Sequence, residues 1–184
     1  MRVITGSARG RRLKTLEGME TRPTTDKVKE AVFNSVGPYF DGGRLLDMFS
    51  GSGSIALEGL SRGMDEAVLI DKNPKAIQII QKNIDALKVK DRTKVYCGDY
   101  QSILKKLDVQ NKFDYVYIDP PYAMDVIEKA FSLLKEMDLL NPTARIIVET
   151  KKEMILNERY DDIIKQKEAI YGITRITYFK KEIE

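Results

Sequence analysis

Apolar residues recur along this chain with two different spacings, and from residue 44 onward the two spacings alternate. Short apolar runs predict buried strands, whereas apolar positions three and four residues apart predict helices. The predicted strands are RLLDMF, EAVLID, TKVYCGD, FDYVYID and ARIIVET. The predicted helices that connect them are IALEGLSRG, NPKAIQIIQKNIDALK, YQSILKKL and DVIEKAFSLLKEM. This alternation predicts an α/β fold with right-handed crossovers and a parallel sheet covered on both faces.

The two ends of the chain depart from this alternation. Near the C-terminus, DDIIKQKEAI and ITRITYFK read as strands with no helix between them. We therefore expect them to form an antiparallel hairpin at the edge of the sheet. Near the N-terminus, RVIT and RRLKTL predict a short hairpin or arm.

A further helix is predicted between this arm and the first strand of the alternating part. The segment RPTTDKVKEAVFNSV has apolar residues at helical spacing, such as Val28 and Val32. Thr24 or Thr25 is suited to cap its first turn.

Residues that follow the predicted strands are the candidates for chemistry, because ligands of parallel α/β sheets bind beyond the carboxyl ends of the strands. The first strand leads into DMFSGSGS, which contains Asp47, Gly51 and Gly53. The glycines favour a tight turn in which a ligand approaches the backbone at the start of a helix. The G-x-G-x-x-G fingerprint of nicotinamide sites is not met, because residue 56 is alanine, although some dinucleotide sites tolerate that change.

Carboxylates also end the second and third predicted strands. Asp71 lies about twenty residues beyond the glycines, where an acid commonly accepts hydrogen bonds from ribose hydroxyls. The alternative is that Asp71 or Asn73 caps the helix that begins at Pro74. Asp99 has two compatible roles, which are to accept a hydrogen bond from the amine of an adenine and to cap the helix that follows it.

The fourth predicted strand ends in IDPPY, and its two prolines make a stiff corner. Pro120 and Pro121 lock φ, lack backbone donors and favour extended geometry in the residue before each of them. The corner therefore presents the Asp119 carboxylate, bare carbonyls and the Tyr122 ring in a set arrangement. Taken alone, these residues fit a strand-ending turn equally well. Together with the glycine turn and two further acids at neighbouring strand ends, they indicate a functional site rather than a structural turn.

Composition narrows the chemistry and the partners. The chain has no histidine and one cysteine, which excludes histidine-based triads and thiolate zinc clusters, so no metal is expected. No apolar run approaches the ~18 residues of a membrane span, and the first residues carry no signal-peptide core. We therefore expect no membrane partner. The single cysteine, Cys97, cannot form an internal disulfide, so we expect a cytoplasmic protein. Residues 1–29 hold eight basic and three acidic residues, a net charge of +5 against −2 for the rest, which favours a polyanionic partner.

The order of these motifs resembles the S-adenosylmethionine-dependent methyltransferases, and the IDPPY corner resembles those that methylate exocyclic amines of bases. ITGSARGRRL, RPTTDKVKEAVFN and LLDMFSGSGSIALEGLSRG together closely resemble the RsmD family of bacterial 16S rRNA guanine-N2 methyltransferases. The resemblance covers essentially the whole chain. It implies a Rossmann-like, seven-stranded class I methyltransferase sheet with an antiparallel C-terminal edge hairpin. We expect one domain, residues 1–184, made of a basic N-terminal arm, residues 1–20, and a catalytic core, residues 21–184.

The resemblance also implies a cofactor, a partner and site residues. The cofactor is S-adenosylmethionine, and the partner is 16S rRNA in the small ribosomal subunit or in an assembly intermediate. The residues expected to bind the cofactor are Asp47, Phe49, Gly51, Gly53, Asp71, Lys72, Asp99 and Tyr100. The residues expected to hold the target amine and its base are Asp119, Pro120, Pro121 and Tyr122. The residues expected to contact RNA are Arg9, Arg11, Arg12, Lys14, Arg22 and Lys27. The last two also fit a contact with the cofactor carboxylate.

Three other functions share parts of this pattern. A DNA adenine-N6 methyltransferase has the same corner and fold, but it usually carries a sizeable target-recognition region, for which the short connections here leave little room. A nicotinamide-dependent oxidoreductase leaves the IDPPY corner unexplained. A catalytically silent RNA-binding assembly factor leaves the acids at the strand ends unexplained.

Overall fold

The structure, a computed structural model, describes residues 1–17, 25–121 and 124–183 of the chain. Its helices are α1 (Thr25–Val36), α2 (Ser54–Ser61), α3 (Pro74–Leu87), α4 (Tyr100–Leu104) and α5 (Met124–Glu136). Its strands are β1 (Arg44–Asp47), β2 (Glu66–Asp71), β3 (Thr93–Cys97), β4 (Phe113–Ile118), β5 (Leu140–Lys151), β6 (Arg159–Tyr160), β7 (Ile163–Tyr171) and β8 (Thr174–Lys181). None of the helices in these ranges has both the length and the apolar character needed to cross a bilayer.

The strands form one sheet in the order β3-β2-β1-β4-β5-β8-β7-β6. The first five strands along the chain pair in parallel, whereas β8 pairs antiparallel with both β5 and β7. The predicted α/β fold, with a parallel sheet and a closing antiparallel hairpin, is therefore confirmed.

The number of strands differs from the expected seven, because the two-residue strand β6 pairs with the start of β7. The Tyr160 ring of β6 packs edge-on against Phe131 and Phe179, at centroid distances of 4.8 and 5.8 Å. These aromatic contacts stabilise β6 at the sheet edge, where a strand of two residues has few hydrogen bonds of its own. Two residues are too few to show an alternation of apolar and polar positions, so β6 could not be predicted from the sequence.

Helices cover both faces of the central strands β2, β1 and β4, which are largely buried, as the continuous apolar strands predict. On one face α4 and α5 contribute to a core that includes Leu46 and Ile118. On the other face α1, α2 and α3 enclose a core that includes Leu69 and Tyr117. Because helices cover both faces, the carboxyl ends of the parallel strands are left for a ligand to approach.

The N-terminal segment folds back on itself and packs on the face that α1, α2 and α3 cover. Arg2 and Arg12 form an antiparallel bridge. Val3 and Leu13, next to them, are buried in the core of that face. The expected short hairpin or arm is therefore present, and its apolar residues are part of the protein's interior.

A fully buried carboxylate, that of Glu58 in α2, holds this arm in place. Its oxygens accept hydrogen bonds from the backbone N–H groups of Ile4 and Thr5 at 2.9 and 3.0 Å. Two buried cations neutralise it, with Lys29 Nζ at 3.4 Å and Arg62 Nε at 2.8 Å. A buried charge is tolerated when it is paired and hydrogen bonded. The arm therefore supplies two of the hydrogen bonds that stabilise the buried Glu58 carboxylate.

Lys29 extends this network toward the glycine-rich turn after β1. Its Nζ donates hydrogen bonds to the backbone carbonyl of Arg2 and to the hydroxyl of Ser54, the latter at 2.9 Å. Burial lowers the pKa of the Lys29 ammonium, and the charges of Glu58 and Asp26 oppose that shift. Ser54 is the first residue of α2, so one buried cation joins the arm to the helix that follows the glycine turn.

We expect Glu58→Gln to lower the free energy of unfolding by about 3–5 kcal/mol, because Arg62 loses the carboxylate that it pairs with and Lys29 is left with Asp26 at 3.9 Å. Urea denaturation followed by circular dichroism measures the change. The matched control is Glu153→Gln, since that side chain is 70% exposed; its effect should stay within about 0.5 kcal/mol. An effect of Glu58→Gln no larger than the control's would contradict this role of the carboxylate.

Candidate active site at the carboxyl ends of the strands

Four adjacent strands bring their carboxyl ends to one edge of the sheet, in the order β3, β2, β1 and β4. The register pairs Asp47 of β1 with Leu69 on one side and Tyr117 on the other. Asp71, at the end of β2, pairs with Cys97 at the end of β3. The polar residues predicted to follow these strands are therefore brought together in space.

The glycine-rich turn connects β1 to α2 in a left-handed backbone conformation. Gly51 and Gly53 have φ angles of 56° and 80°, a region that favours glycine. A Cβ atom at Gly53 would approach Leu69 at 3.1 Å, whereas one at Gly51 would meet no protein atom within 4 Å. Gly53 therefore lets α2 pack closely on β2, and the space beside Gly51 is open to a ligand.

Asp71 is bonded to the glycine-rich turn rather than capping the next helix. One of its oxygens accepts from the N–H of Gly51 at 2.8 Å, and the other accepts from the N–H of Asn73 at 2.9 Å. Asn73 caps α3 by accepting from the N–H of Lys75 at 3.0 Å. Each carboxylate oxygen has room for a second hydrogen bond, so the expected contact of Asp71 with ribose hydroxyls stays a prediction. Lys72 is exposed beside it.

Asp47 is buried, and its Oδ2 atom has no hydrogen-bond partner among the described residues. Burial raises the pKa of this carboxyl to about 7, and the charge of Asp71 adds to the shift. The N–H groups of Ala56 and Phe49 and the hydroxyl of Ser50 oppose it. A buried carboxyl with an unused acceptor is costly, and a positively charged or hydrogen-bond-donating ligand would relieve that cost.

Asp99 caps α4 by accepting from the N–H of Ser102 at 3.2 Å. Its capping role is therefore observed, and its contact with an adenine amine stays a prediction. Phe49 and Tyr100 pack against each other, with ring centroids 5.3 Å apart. These two rings make an apolar wall next to the polar strand ends.

The Asp-Pro-Pro corner directly follows β4. Asp119 and Pro120 are half-buried, and Pro121 is exposed. The N–H of Met48 donates to the carbonyl of Tyr117 at 3.1 Å, which ties the start of the glycine-rich turn to the strand that leads into the corner. Tyr122, the fourth residue expected to be catalytic, lies outside the described residues.

The basic residues of the arm differ in what they contact. Arg9, Arg12 and Lys14 are exposed, as is Lys27 in α1. Arg11 is exposed as well, and its guanidinium donates to the carbonyl of Ala86, near the end of α3, at 2.7 Å. A cation is stabilising at the C-terminal end of a helix, so Arg11 anchors the arm. Arg22 lies outside the described residues.

Sequence reasoning missed the side chains that hold the arm beside the site. Asn83 in α3 accepts from the N–H of Lys14 at 2.7 Å and donates to the carbonyls of Lys14 and Ser52 at 3.0 and 2.9 Å. It thereby links the arm to the glycine-rich turn. A polar residue on an apolar helix face was the available signal here, as it was for Glu58 in the helix SIALEGLS.

Comparisons with known proteins cover the arm, the strand ends and the hairpin together. The family described as conserved hypothetical protein 95 matches residues 1–180. YlbH of Bacillus subtilis, which is provisionally named an rRNA methyltransferase, is 40% identical over 182 residues, or 98% of this chain and 99% of that protein. Ribosomal RNA small subunit methyltransferase D of Haemophilus influenzae is 38% identical over 154 residues, or 83% of this chain and 80% of that protein.

A solved structure shows the same fold over the full length. It is an Escherichia coli protein provisionally titled a methyltransferase, with a TM-score of 0.88 and 29% identity. The match covers 100% of this chain and 99% of that one.

The raised pKa of Asp47 makes the stability of the ligand-free protein depend on pH. In the unfolded chain an aspartate ionises at about pH 3.9, whereas folded Asp47 keeps its proton up to about pH 7. The folded state therefore binds more protons between these values, and stability falls as the pH rises through them. Asp47→Asn removes the ionisable carboxyl group, so its stability should not show this fall with rising pH.

We expect the stability advantage of Asp47→Asn over the wild type to grow by a few kcal/mol between about pH 5 and pH 8. Urea unfolding of both proteins, without ligand, at the two pH values measures it. Asp41→Asn, an exposed residue at the opposite end of β1, is the control and should show no such growth. An advantage that did not change with pH would count against a raised pKa at Asp47.

Proposed function

We propose that this chain, which belongs to the RsmD family, the family described as conserved hypothetical protein 95, methylates the exocyclic N2 amine of a guanine in 16S rRNA. The names of its relatives support an rRNA methyltransferase. The assignment to guanine N2 rests on the resemblance of the arm and glycine-turn motifs. With an rRNA substrate, the reaction takes place in the cytoplasm.

One observation carries this proposal, namely that an Asp-Pro-Pro corner and an open glycine turn lie at the ends of adjacent strands, β4 and β1. The turn offers a place for a methyl donor, and the corner offers acceptors for an amine. A nicotinamide-dependent oxidoreductase has no use for that corner. The proximity of the two motifs therefore favours methyl transfer to nitrogen.

The residues present fit S-adenosylmethionine, which supplies an electrophilic methyl group on a sulfonium when it is bound. The buried Asp47 Oδ2 has no partner among the described residues, and a cationic amine at that position would hold Asp47 in its ionised form. Gly51 leaves open space at the turn. Asp71 keeps acceptor capacity for hydroxyl groups next to that space. Asp99 and the rings of Phe49 and Tyr100 lie beyond it, in keeping with a flat purine.

The corner residues activate and aim the target amine. The lone pair of the guanine amine is delocalised into the ring, so the amine is a poor nucleophile. The Asp119 carboxylate and the Pro120 carbonyl accept its two hydrogens, which localises the lone pair and directs it at the methyl group. Because Pro121 keeps the corner stiff, these acceptors are in position before the reaction. Alignment of amine and methyl group supplies much of the rate.

Proton removal needs no histidine. After transfer the nitrogen is cationic and acidic, so Asp119 or water takes its proton readily. Tyr122, outside the described residues, is proposed to stack on the base once the base has left its helix or loop. This chemistry is compatible with a chain that lacks histidine altogether.

The arm is proposed to grip the rRNA backbone by charge. Its exposed cations, Arg9, Arg11, Arg12 and Lys14, lie on a segment that Asn83 joins to the glycine-rich turn. Phosphate contacts there would position the RNA without reading its sequence. Lys27 is exposed in α1 and fits the same role, as does Arg22, which lies outside the described residues.

The function is tested by mapping methylated nucleosides with mass spectrometry. We expect 16S rRNA from cells without the gene to lack one N2-methylguanosine, and the purified protein to restore it on small-subunit particles or free rRNA. Formation of N6-methyladenosine in DNA would support the adenine-N6 alternative. Binding of rRNA without any methyl transfer would support the silent assembly factor.

Asp119→Ala should leave S-adenosylmethionine binding intact and reduce methyl transfer by about 100- to 10 000-fold, because the amine loses its carboxylate acceptor. Calorimetry measures cofactor binding, and transfer of a radioactive methyl group measures turnover. Asp41→Ala is the matched control and should keep both properties. Wild-type turnover in Asp119→Ala would rule out this role for the corner.

Reversing the charge of Arg9 and Arg12 to glutamate should weaken rRNA binding, and the weakening should be greatest at low salt. The slope of log affinity against log salt should fall by about one for each phosphate that the variant no longer binds. Filter binding over a series of salt concentrations measures this. The control reverses Lys105 and Lys106, which are exposed after α4 on the other face of the sheet. Equal slopes for the two variants would mean that the RNA binds a surface other than the arm.

A further inference from the structure

Glu149, which no motif singled out, lies directly beside the Asp-Pro-Pro corner. The parallel register pairs Ile118, the last residue of β4, with Val148 of β5. Asp119, the first residue of the corner, and Glu149 of β5 directly follow this pair. Neighbouring strands run about 4.8 Å apart. Both side chains are half-buried. Two carboxylates therefore stand next to each other where the target base is proposed to enter.

The side chain of Glu149 is oriented by a buried tyrosine. The Tyr117 hydroxyl donates to Glu149 Oε2 at 2.6 Å, and Tyr117 is only 2% exposed. Burial raises the pKa of this hydroxyl, and the charges of Glu149, Asp119 and Asp47 raise it further. Tyr117 therefore remains a hydrogen-bond donor at physiological pH. A carboxylate accepts at about four lone-pair positions, of which this bond takes one.

The corner by itself does not select a base. Guanine, adenine and cytosine all carry an exocyclic amine that Asp119 and Pro120 can hold. They differ in the ring nitrogen next to that amine. Guanine N1 carries a hydrogen and donates, whereas adenine N1 and cytosine N3 are acceptors. A carboxylate aimed at this position gains a hydrogen bond from guanine and meets a lone pair in the other two bases.

We propose that Glu149 is a specificity-determining residue, which accepts the N1–H of the target guanine while Asp119 holds the neighbouring N2 amine. This inference rests on the proposed function and adds to it the group that reads the base. Tyr117 acts as a positioning residue, since it holds Glu149 and does not itself touch the base.

The test compares two bases at the target position of a substrate RNA. Guanine is one, and 2-aminopurine, which keeps the exocyclic amine but has no N1–H, is the other. The wild type should favour guanine by about 10- to 100-fold in kcat/KM, the value of one charge-assisted hydrogen bond. In Glu149→Gln the side-chain amide can donate to N1 of 2-aminopurine, so the preference should shrink by at least about tenfold.

The change in preference between proteins, rather than the preference itself, is the readout, because the intrinsic reactivity of each amine cancels in that comparison. Glu153→Gln, on the exposed turn after β5, is the matched control and should keep the wild-type ratio. Tyr117→Phe keeps the carboxylate but removes its tether, so it should reduce the ratio by a smaller factor. It also supplies a measurement if Glu149→Gln does not fold. A merely structural role for Glu149 would lower both rates alike.

The outcomes separate this inference from the proposed function. If the wild type forms N2-methylguanosine but Glu149→Gln or Tyr117→Phe keeps the full preference for guanine, the reading of N1–H by Glu149 is overturned and the proposed function stands. If the wild type forms no N2-methylguanosine on any rRNA substrate, the proposed function falls and this inference falls with it. A reduced ratio in both variants, with the control unchanged, supports the inference.

Discussion

The placement of the arm depends on the neutralisation of the Glu58 carboxylate, which has no contact with water. Lys29 and Arg62 supply its counter-charges, and the backbone of Ile4 and Thr5 supplies hydrogen bonds. Each of these partners stabilises the carboxylate, because a buried charge with an incomplete set of partners costs several kcal/mol. The N-terminal arm, α1 and α2 are therefore held together by one electrostatic requirement, and the basic surface of the arm is held beside the glycine turn as a result.

Charge is divided between two parts of the molecule. At the strand ends, Asp47, Asp119 and Glu149 surround the buried Tyr117 closely enough that all three raise the pKa of its hydroxyl. A negative site of this kind suits a sulfonium and the hydrogens of an amine. It would repel a polyanion, and the exposed cations of the arm offset that repulsion for RNA. In the proposed enzyme, the cations of the arm attract the RNA, and the acids at the strand ends act on one base.

Substrate choice, in this proposal, follows from geometry rather than from a separate recognition domain. A proline corner holds any exocyclic amine, and the residue next to it on the adjacent strand reads the neighbouring ring nitrogen. The parallel register of β4 and β5 brings Glu149 beside the corner. One added carboxylate on an adjacent strand would then account for a preference between bases.

The sequence by itself determined those features whose cause lies in nearby residues. The cap and first turn of α3 follow from Asn73 and Pro74, and the glycine turn follows from Gly51 and Gly53. The alternation of strands and helices likewise predicted the sheet and the edge at which the acids meet. Only the tertiary structure decided which polar groups pair across that edge.

Tyr117 and Glu149 are 32 residues apart, and Glu58 lies 54 residues from Ile4. Arg11, whose contact with RNA stays a prediction, donates to a carbonyl 75 residues away. Such partners are not visible in local patterns, because a hydrogen bond depends on distance in space, and the sheet register and the packing of helices set that distance.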